Sequence, residues 1–266
     1  MAGAGGQAGG AEAGAPDAGA PNCDPGDVAA PGSLLHRYSF EGTATSAVDS
    51  VGGADGELLE ATGSANSCST PAAQQAPGAV LDGTGKLVLD GCKGYVNLPN
   101  HLISPLNNVT IVSWQTWAGG AAFQRYFDFG VGDGEDQTTG QGASYLAVSV
   151  AGTDNTKLQL GARQAISAPQ QEIRTFVDMN DKLEHQVAAV FASNAYVELY
   201  RDGEQLGHLA IGFPLSSIND VNDWIGRSQW MSDHTFGGTV NEFRIYGEAL
   251  TPCALRALYL AGPDAL

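Results

Sequence analysis

From Leu34 onward the chain is cut into short apolar or alternating runs, separated by Gly, Asp, Asn and Pro. "LLHRYSF", "GKLVLDG", "GYVNLP", "NVTIVSWQTW", "FQRYFDFG", "SYLAVSV", "KLQLGA", "EHQVAAVF", "AYVELYRDGEQLGHLAIG", "DWIG" and "GTVNEFRIYG" follow one another in this order. Turn signals every ten residues or so confine such a chain to a β-sandwich or barrel. Asp202-Gly203 in "VELYRDGEQLG" is a two-residue hairpin turn between strand formers. In that unit Val197 and Leu199 alternate with Tyr196, Glu198 and Tyr200, giving one apolar face. A single helix is predicted, at "LTPCALRALYLAG". Thr251 would be its N-cap, Pro252 its first residue, Leu255, Leu258 and Tyr259 its buried stripe, and Gly262 its stop.

The charge balance narrows the partners. With 29 acidic against 12 basic residues, the net charge is −17. That field repels nucleic acid and anionic membrane surfaces and is compatible with cation binding. No apolar run is long enough to span a bilayer, so membrane insertion is not expected. At 43% hydrophobic residues the chain can still build a sizeable core.

Residues 1 to about 31 are almost all Ala, Gly and Pro and read as a disordered linker or tether preceding one domain over 32–266. No secretory leader is legible at Met1, so an exported chain would start after a processed one. Cys23, Cys68, Cys92 and Cys253 form no C-x-x-C, which argues against zinc and thiol redox chemistry. Two disulfides in an oxidising compartment fit better than four buried thiols, and four cysteines allow three pairings.

Sequence signals for catalysis are missing. There is no G-x-S-x-G and no H-E-x-x-H, and His36, His101, His185, His208 and His234 do not pair at metal-ligand spacing. "DGTGKL" lacks the first glycine and the hydroxyl residue of a phosphate loop. Asp133, Glu135 and Asp136 depart from a calcium-loop pattern and read as a solvated hairpin loop. Asp128, between Phe127 and Phe129, reads as a hydrogen-bonding residue at a sheet edge. Trp114 and Trp117, three apart on one strand, fall on opposite faces, with Trp114 assigned to the core. Trp230 differs. In "GRSQWMSDHTF" it stands in a polar loop with Arg227, Gln229 and Asp233, the best combination of ring and hydrogen-bonding groups for stacking on a sugar.

The ordered set of runs, with "AVDSVGGADG" after the first and "WIGRSQW" before the last, resembles the laminin-G-like, concanavalin A-like jelly-roll domains of bacterial surface proteins over about Leu34 to Leu260. The resemblance implies an all-β, two-sheet antiparallel jelly-roll sandwich with a short C-terminal helix, its first and last strands adjacent. It implies export to the cell surface or beyond. It also implies one structural calcium, at Asp49 and Asp55 of the first turn and Asn241 of the last strand, where Asn supplies only a neutral oxygen. Adjacent terminal strands would pair Cys23 with Cys253, and the local pair would be Cys68 with Cys92. The glucanases of this superfamily carry E-x-D-x-E on one strand, and this chain has no such triplet. The reading is therefore a non-catalytic binding module with a glycan as first partner. The alternative is a structural or protein-adhesion module that binds a surface protein and has no sugar site.

Overall fold

The computed structural model describes residues 23, 33–61, 76–136, 140–150, 152 and 158–265. Its strands are β1 (Leu34–Tyr38), β2 (Ser46–Ala47), β3 (Gly56–Glu60), β4 (Ala79–Leu81), β5 (Leu87–Asp90), β6 (Gly94–Leu98), β7 (Asn108–Trp117), β8 (Gln124–Val131), β9 (Ser144–Val150), β10 (Leu158–Arg163), β11 (Gln171–Arg174), β12 (His185–Ala192), β13 (Tyr196–Arg201), β14 (Glu204–Ala210), β15 (Asn222–Ile225) and β16 (Gly237–Tyr246). One helix, α1 (Pro252–Ala261), follows. Sheet A runs β14-β13-β12-β7-β16-β5-β4, with β1 also on β16; sheet B runs β11-β10-β9-β8-β15-β6-β3-β2. The pairings within both sheets are antiparallel, and the first and last strands are neighbours through Tyr38↔Phe243.

The alternation read in the sequence puts one side of each sheet into a common core. Phe243 of β16 packs its ring against Phe127 at 5.9 Å and Phe129 at 6.1 Å, across the two sheets, and against Tyr38 at 6.3 Å. Removing such a buried ring costs about 3–5 kcal/mol. The hairpin turn has φ of 53° at Asp202 and 74° at Gly203, the left-handed pair that matches strand twist.

Helix α1 lies over the outer face of sheet A. Thr251 caps it by accepting from the Ala254 N–H at 3.2 Å, and Gly262 ends it with φ 84°. Ala254 and Leu255 are buried against Val112, Trp114 and Tyr246, with Leu258 partly buried beside them. Tyr259, expected in that stripe, is 37% exposed. The two tryptophans of β7 do face opposite ways, but Trp117 holds the inter-sheet position, donating its indole N–H to Gln124. Trp114 is buried instead in the outer layer beneath the helix, with the Arg244 guanidinium 5.1 Å from its ring.

Cys23 is bonded to Cys253 at the start of α1, so position 23 of the expected linker is fastened to the domain. Residues 1–22 and 24–32 lie outside the described residues. So does Cys68, the partner expected for Cys92, which is itself disulfide-bonded.

Candidate functional site

The outer face of sheet B is polar, and its registers explain where it is hollow. One row across the sheet reads Trp224, Asp128, Ala147, Gly161, Glu172; the next reads Arg125, Ser149, Gln159, Arg174. Ala147, Gly161 and Ser149 are small, so the middle of the sheet is low while both flanks carry large side chains. A bulge on β8 makes this face possible. Arg125 pairs with Ser149 and Phe127 with Val148, which leaves Tyr126 as an extra residue. Tyr126 turns inward onto Phe236, and Arg125 and Asp128 both stay outside. The resulting pocket is about 250 Å³. Its floor is Tyr145, Ala147, Ser149, Gln159 and Gly161, with Phe123, Arg125, Trp230 and Asp233 on one wall and Gln170, Glu172 and Arg174 on the other.

Residues 226–236, between β15 and β16, carry Trp230 to that wall. Asp128 accepts from the Gln229 N–H at 3.0 Å, and the Gln229 side chain accepts from Asn222 at 3.0 Å. Asp233 accepts from Arg125 Nη2 at 2.9 Å and from Ser228 at 2.8 Å, and Ser228 accepts from the Trp230 N–H at 3.1 Å. The Trp230 ring meets Tyr145 edge-on at 4.8 Å, and the Arg125 guanidinium lies 5.1 Å from its centre. Behind it Gly142 leaves room that a Cβ would fill, at 2.6–3.0 Å from the ring.

The electrostatics are local. Burial pushes the Asp128 carboxyl up to about 7, against the pull of Arg125 and the Gln229 N–H. Burial also raises Asp233, with Arg125 and Ser228 opposing. Burial raises the Tyr145 phenol, which is 1% exposed and whose buried hydroxyl has no hydrogen-bond partner among the described residues. Glu172 pairs with Arg174 Nη2 at 2.6 Å and accepts from Gln170.

Of the four residues singled out in the loop, Trp230 and Asp233 line the pocket. Gln229 is fully buried behind them, and Arg227 does not line the pocket: its guanidinium stacks on Trp224 at 4.1 Å and Tyr95 at 4.7 Å. Asp128 is not at a sheet edge; β8 lies inside sheet B, and the carboxyl anchors the loop. Phe123, Arg125, Tyr145, Gln159, Glu172 and Arg174 had no signal beyond membership of strands or turns. Glu135 bonds Asn100 and the Asp136 N–H donates to Asn222, so that loop is stitched to the sandwich end.

The three residues assigned to calcium are arranged differently from a cation site. Asp49 Oδ1 accepts from the N–H groups of Arg37, Val51 and Gly52; Oδ2 accepts from Ala54 and contacts the His36 ring at 2.8 Å. Burial pushes Asp49 up, but these donors, Arg37 and His36 first, hold it down at about 2. Asp55 accepts from the Asp49 N–H. Asn241, the extra residue of a bulge on β16, gives its amide to Glu184. Oxygens already filled by N–H donors do not fit a calcium ion.

The two antiparallel sheets packed face to face define a jelly-roll sandwich. The chain belongs to the concanavalin A-like lectin/glucanases superfamily, whose laminin G-like profile matches residues 90–256. It is similar in structure to domain 4 of an extracellular GH43 arabinanase from Geobacillus stearothermophilus, solved in complex with arabinotriose. The TM-score is 0.63 at 21% identity, covering 85% of this chain and 97% of that one. It is also similar to the binding domain of botulinum neurotoxin DC in complex with rat synaptotagmin II, with a TM-score of 0.56 at 11% identity, over 86% of this chain and 51% of that one. No curated protein sequence matches the chain.

Proposed function

We propose that the chain is a non-catalytic carbohydrate-binding module of an exported protein, and that it holds its ligand in the pocket on sheet B. The observation that carries this reading is the pocket itself. A concave site of about 250 Å³ combines two aromatic side chains, Trp230 and Phe123, with the Ser149 hydroxyl and the Gln159 amide, which make no hydrogen bond among the described residues. Aromatic carbon covers the apolar face of a sugar ring, and hydroxyl and amide groups orient its edge. The volume is below the ~300–1,000 Å³ of sites for drug-sized ligands, so it suits one or two sugar rings.

Hydrolysis is not the reading because the E-x-D-x-E triplet of the superfamily's glucanases is missing from the sequence, and the two wall carboxyls are paired within their own walls, Glu172 with Arg174 and Asp233 with Arg125. The fold neighbour solved with arabinotriose makes that sugar the first probe. The test is a titration of neutral oligosaccharides followed by Trp fluorescence, with a parallel assay for released reducing ends. Saturable quenching without sugar release is expected. Release of reducing ends by the purified chain would overturn the non-catalytic reading, and the absence of binding across a broad panel would favour the protein-adhesion alternative.

A further inference from the structure

This inference rests on the sugar-pocket reading and concerns which sugars the pocket admits. Four formally charged side chains line the pocket, and each is neutralised by another group. Arg125 is spent on Asp233, on Asp128 at 3.4 Å and on the Phe123 carbonyl at 3.2 Å. Arg174 is spent on Glu172. The groups left over are uncharged. The side chains of Ser149 and Gln159 make no hydrogen bond among the described residues, whereas the Tyr145 hydroxyl is buried beneath the floor.

These leftovers match a particular chemistry. An alcohol and a primary amide each donate and accept, as sugar hydroxyls do. A carboxylate or sulfate only accepts, and its recognition calls for a guanidinium or ammonium with donors to spare. Among the described lining residues no such cation is available unless an ion pair opens, and the net charge of −17 opposes an anionic ligand further. The more releasable cation is Arg174, whose side chain is 53% exposed, against 7% for Arg125. Glu172 stands two residues from Arg174 on β11 and occupies it.

The geometry points to a pocket selective for uncharged sugars, in which Glu172 is the specificity-determining residue that excludes anionic ones by holding Arg174. Freed of that carboxylate, Arg174 would offer two N–H donors to a uronate, the pairing on which acidic-sugar recognition depends.

The experiment is calorimetric titration of the full chain with arabinotriose, galactotriose and cellotriose, and with trigalacturonic acid and sialyllactose. A neutral probe should bind and the anionic probes should bind at least about tenfold more weakly. Glu172→Gln should improve trigalacturonic acid binding by about tenfold, and the double variant Glu172→Gln/Arg174→Gln should lose that gain. Melting curves of both variants separate a folding defect from a specificity change. Wild-type binding of an anionic probe as tight as that of any neutral one would overturn the selectivity and leave the pocket reading intact. A Glu172→Gln variant with unchanged discrimination would remove Glu172 from the account. Failure of both probe classes to bind would refute the pocket reading itself, and this inference with it.

Discussion

The Arg125 guanidinium lies 5.1 Å from the centre of the Trp230 ring, while its Nη2 reaches Asp233 at 2.9 Å. One side chain of β8 thus fixes both ends of the loop segment that forms the pocket wall. The two residues should fail differently when removed. Trp230→Ala should weaken sugar binding by about tenfold or more, the ~1.4 kcal/mol of a stacking ring, with a modest effect on melting. Arg125→Ala strands the buried Asp128 and Asp233, a loss of about 3–5 kcal/mol, so melting temperature and binding should fall together. Isothermal titration and scanning calorimetry on both variants check this.

Gly142 touches Trp230 from behind, where a Cβ would come within 2.6–3.0 Å of the ring. Gly142→Ala should therefore displace Trp230 and weaken binding although residue 142 does not line the pocket. The indole resonance of Trp230 should shift in the unliganded variant. An unmoved resonance with full affinity would show that the wall has slack.

Asp128 titrates near 7 in the folded chain, where burial raises it, against about 3.9 unfolded. Between these values the folded state keeps a proton that the unfolded state has lost, so this residue makes stability fall as pH rises from about 4 to 7. The slope is at most ~1.4 kcal/mol per pH unit for one proton. Asp128→Asn stays uncharged throughout, so the stability of the wild type relative to the variant should decline across that interval and level off below it. A relative stability that climbs with pH would mean that Arg125, not burial, dominates the carboxyl.

The first turn makes the fourth prediction. Asp49→Ala leaves several N–H donors without their acceptor, at about 1–3 kcal/mol for each that stays buried and unpaired, so melting should drop. Calcium and chelator should give the same melting temperature, because both Asp49 oxygens already accept. Stabilisation by calcium that disappears in Asp49→Ala would show instead that an ion displaces those donors, as the family resemblance implies.

The strands were legible because alternation and turn residues are local signals. "VELYRDGEQLG" specifies its hairpin within eleven residues, and Thr251-Pro252 specifies the helix start. The pocket was half legible. Trp230 and Asp233 stand in a polar loop that departs from the surrounding pattern. Arg125 did not announce itself, because the bulge at Tyr126 breaks alternation in "QRYFDFG" and conceals which side chains face out. Glu172, Gln159 and Tyr145 become one site only through registers between strands up to 27 residues apart in sequence. The calcium assignment carried over oxygen-bearing residue types, whereas the hydrogen bonds that fill Asp49 come from backbone N–H groups that no residue type reveals.

The central claim is that ligand binds on the outer face of sheet B. Backbone and indole chemical shifts of isotope-labelled protein, followed while titrating the tightest-binding neutral oligosaccharide, test it most directly. The account predicts saturable shifts at the Trp230 indole and at the amides of Phe123, Tyr145, Ser149, Gly161 and Glu172, with those of β12 and α1 unmoved. Shifts confined to sheet A or to α1, or none at saturating sugar, would contradict it.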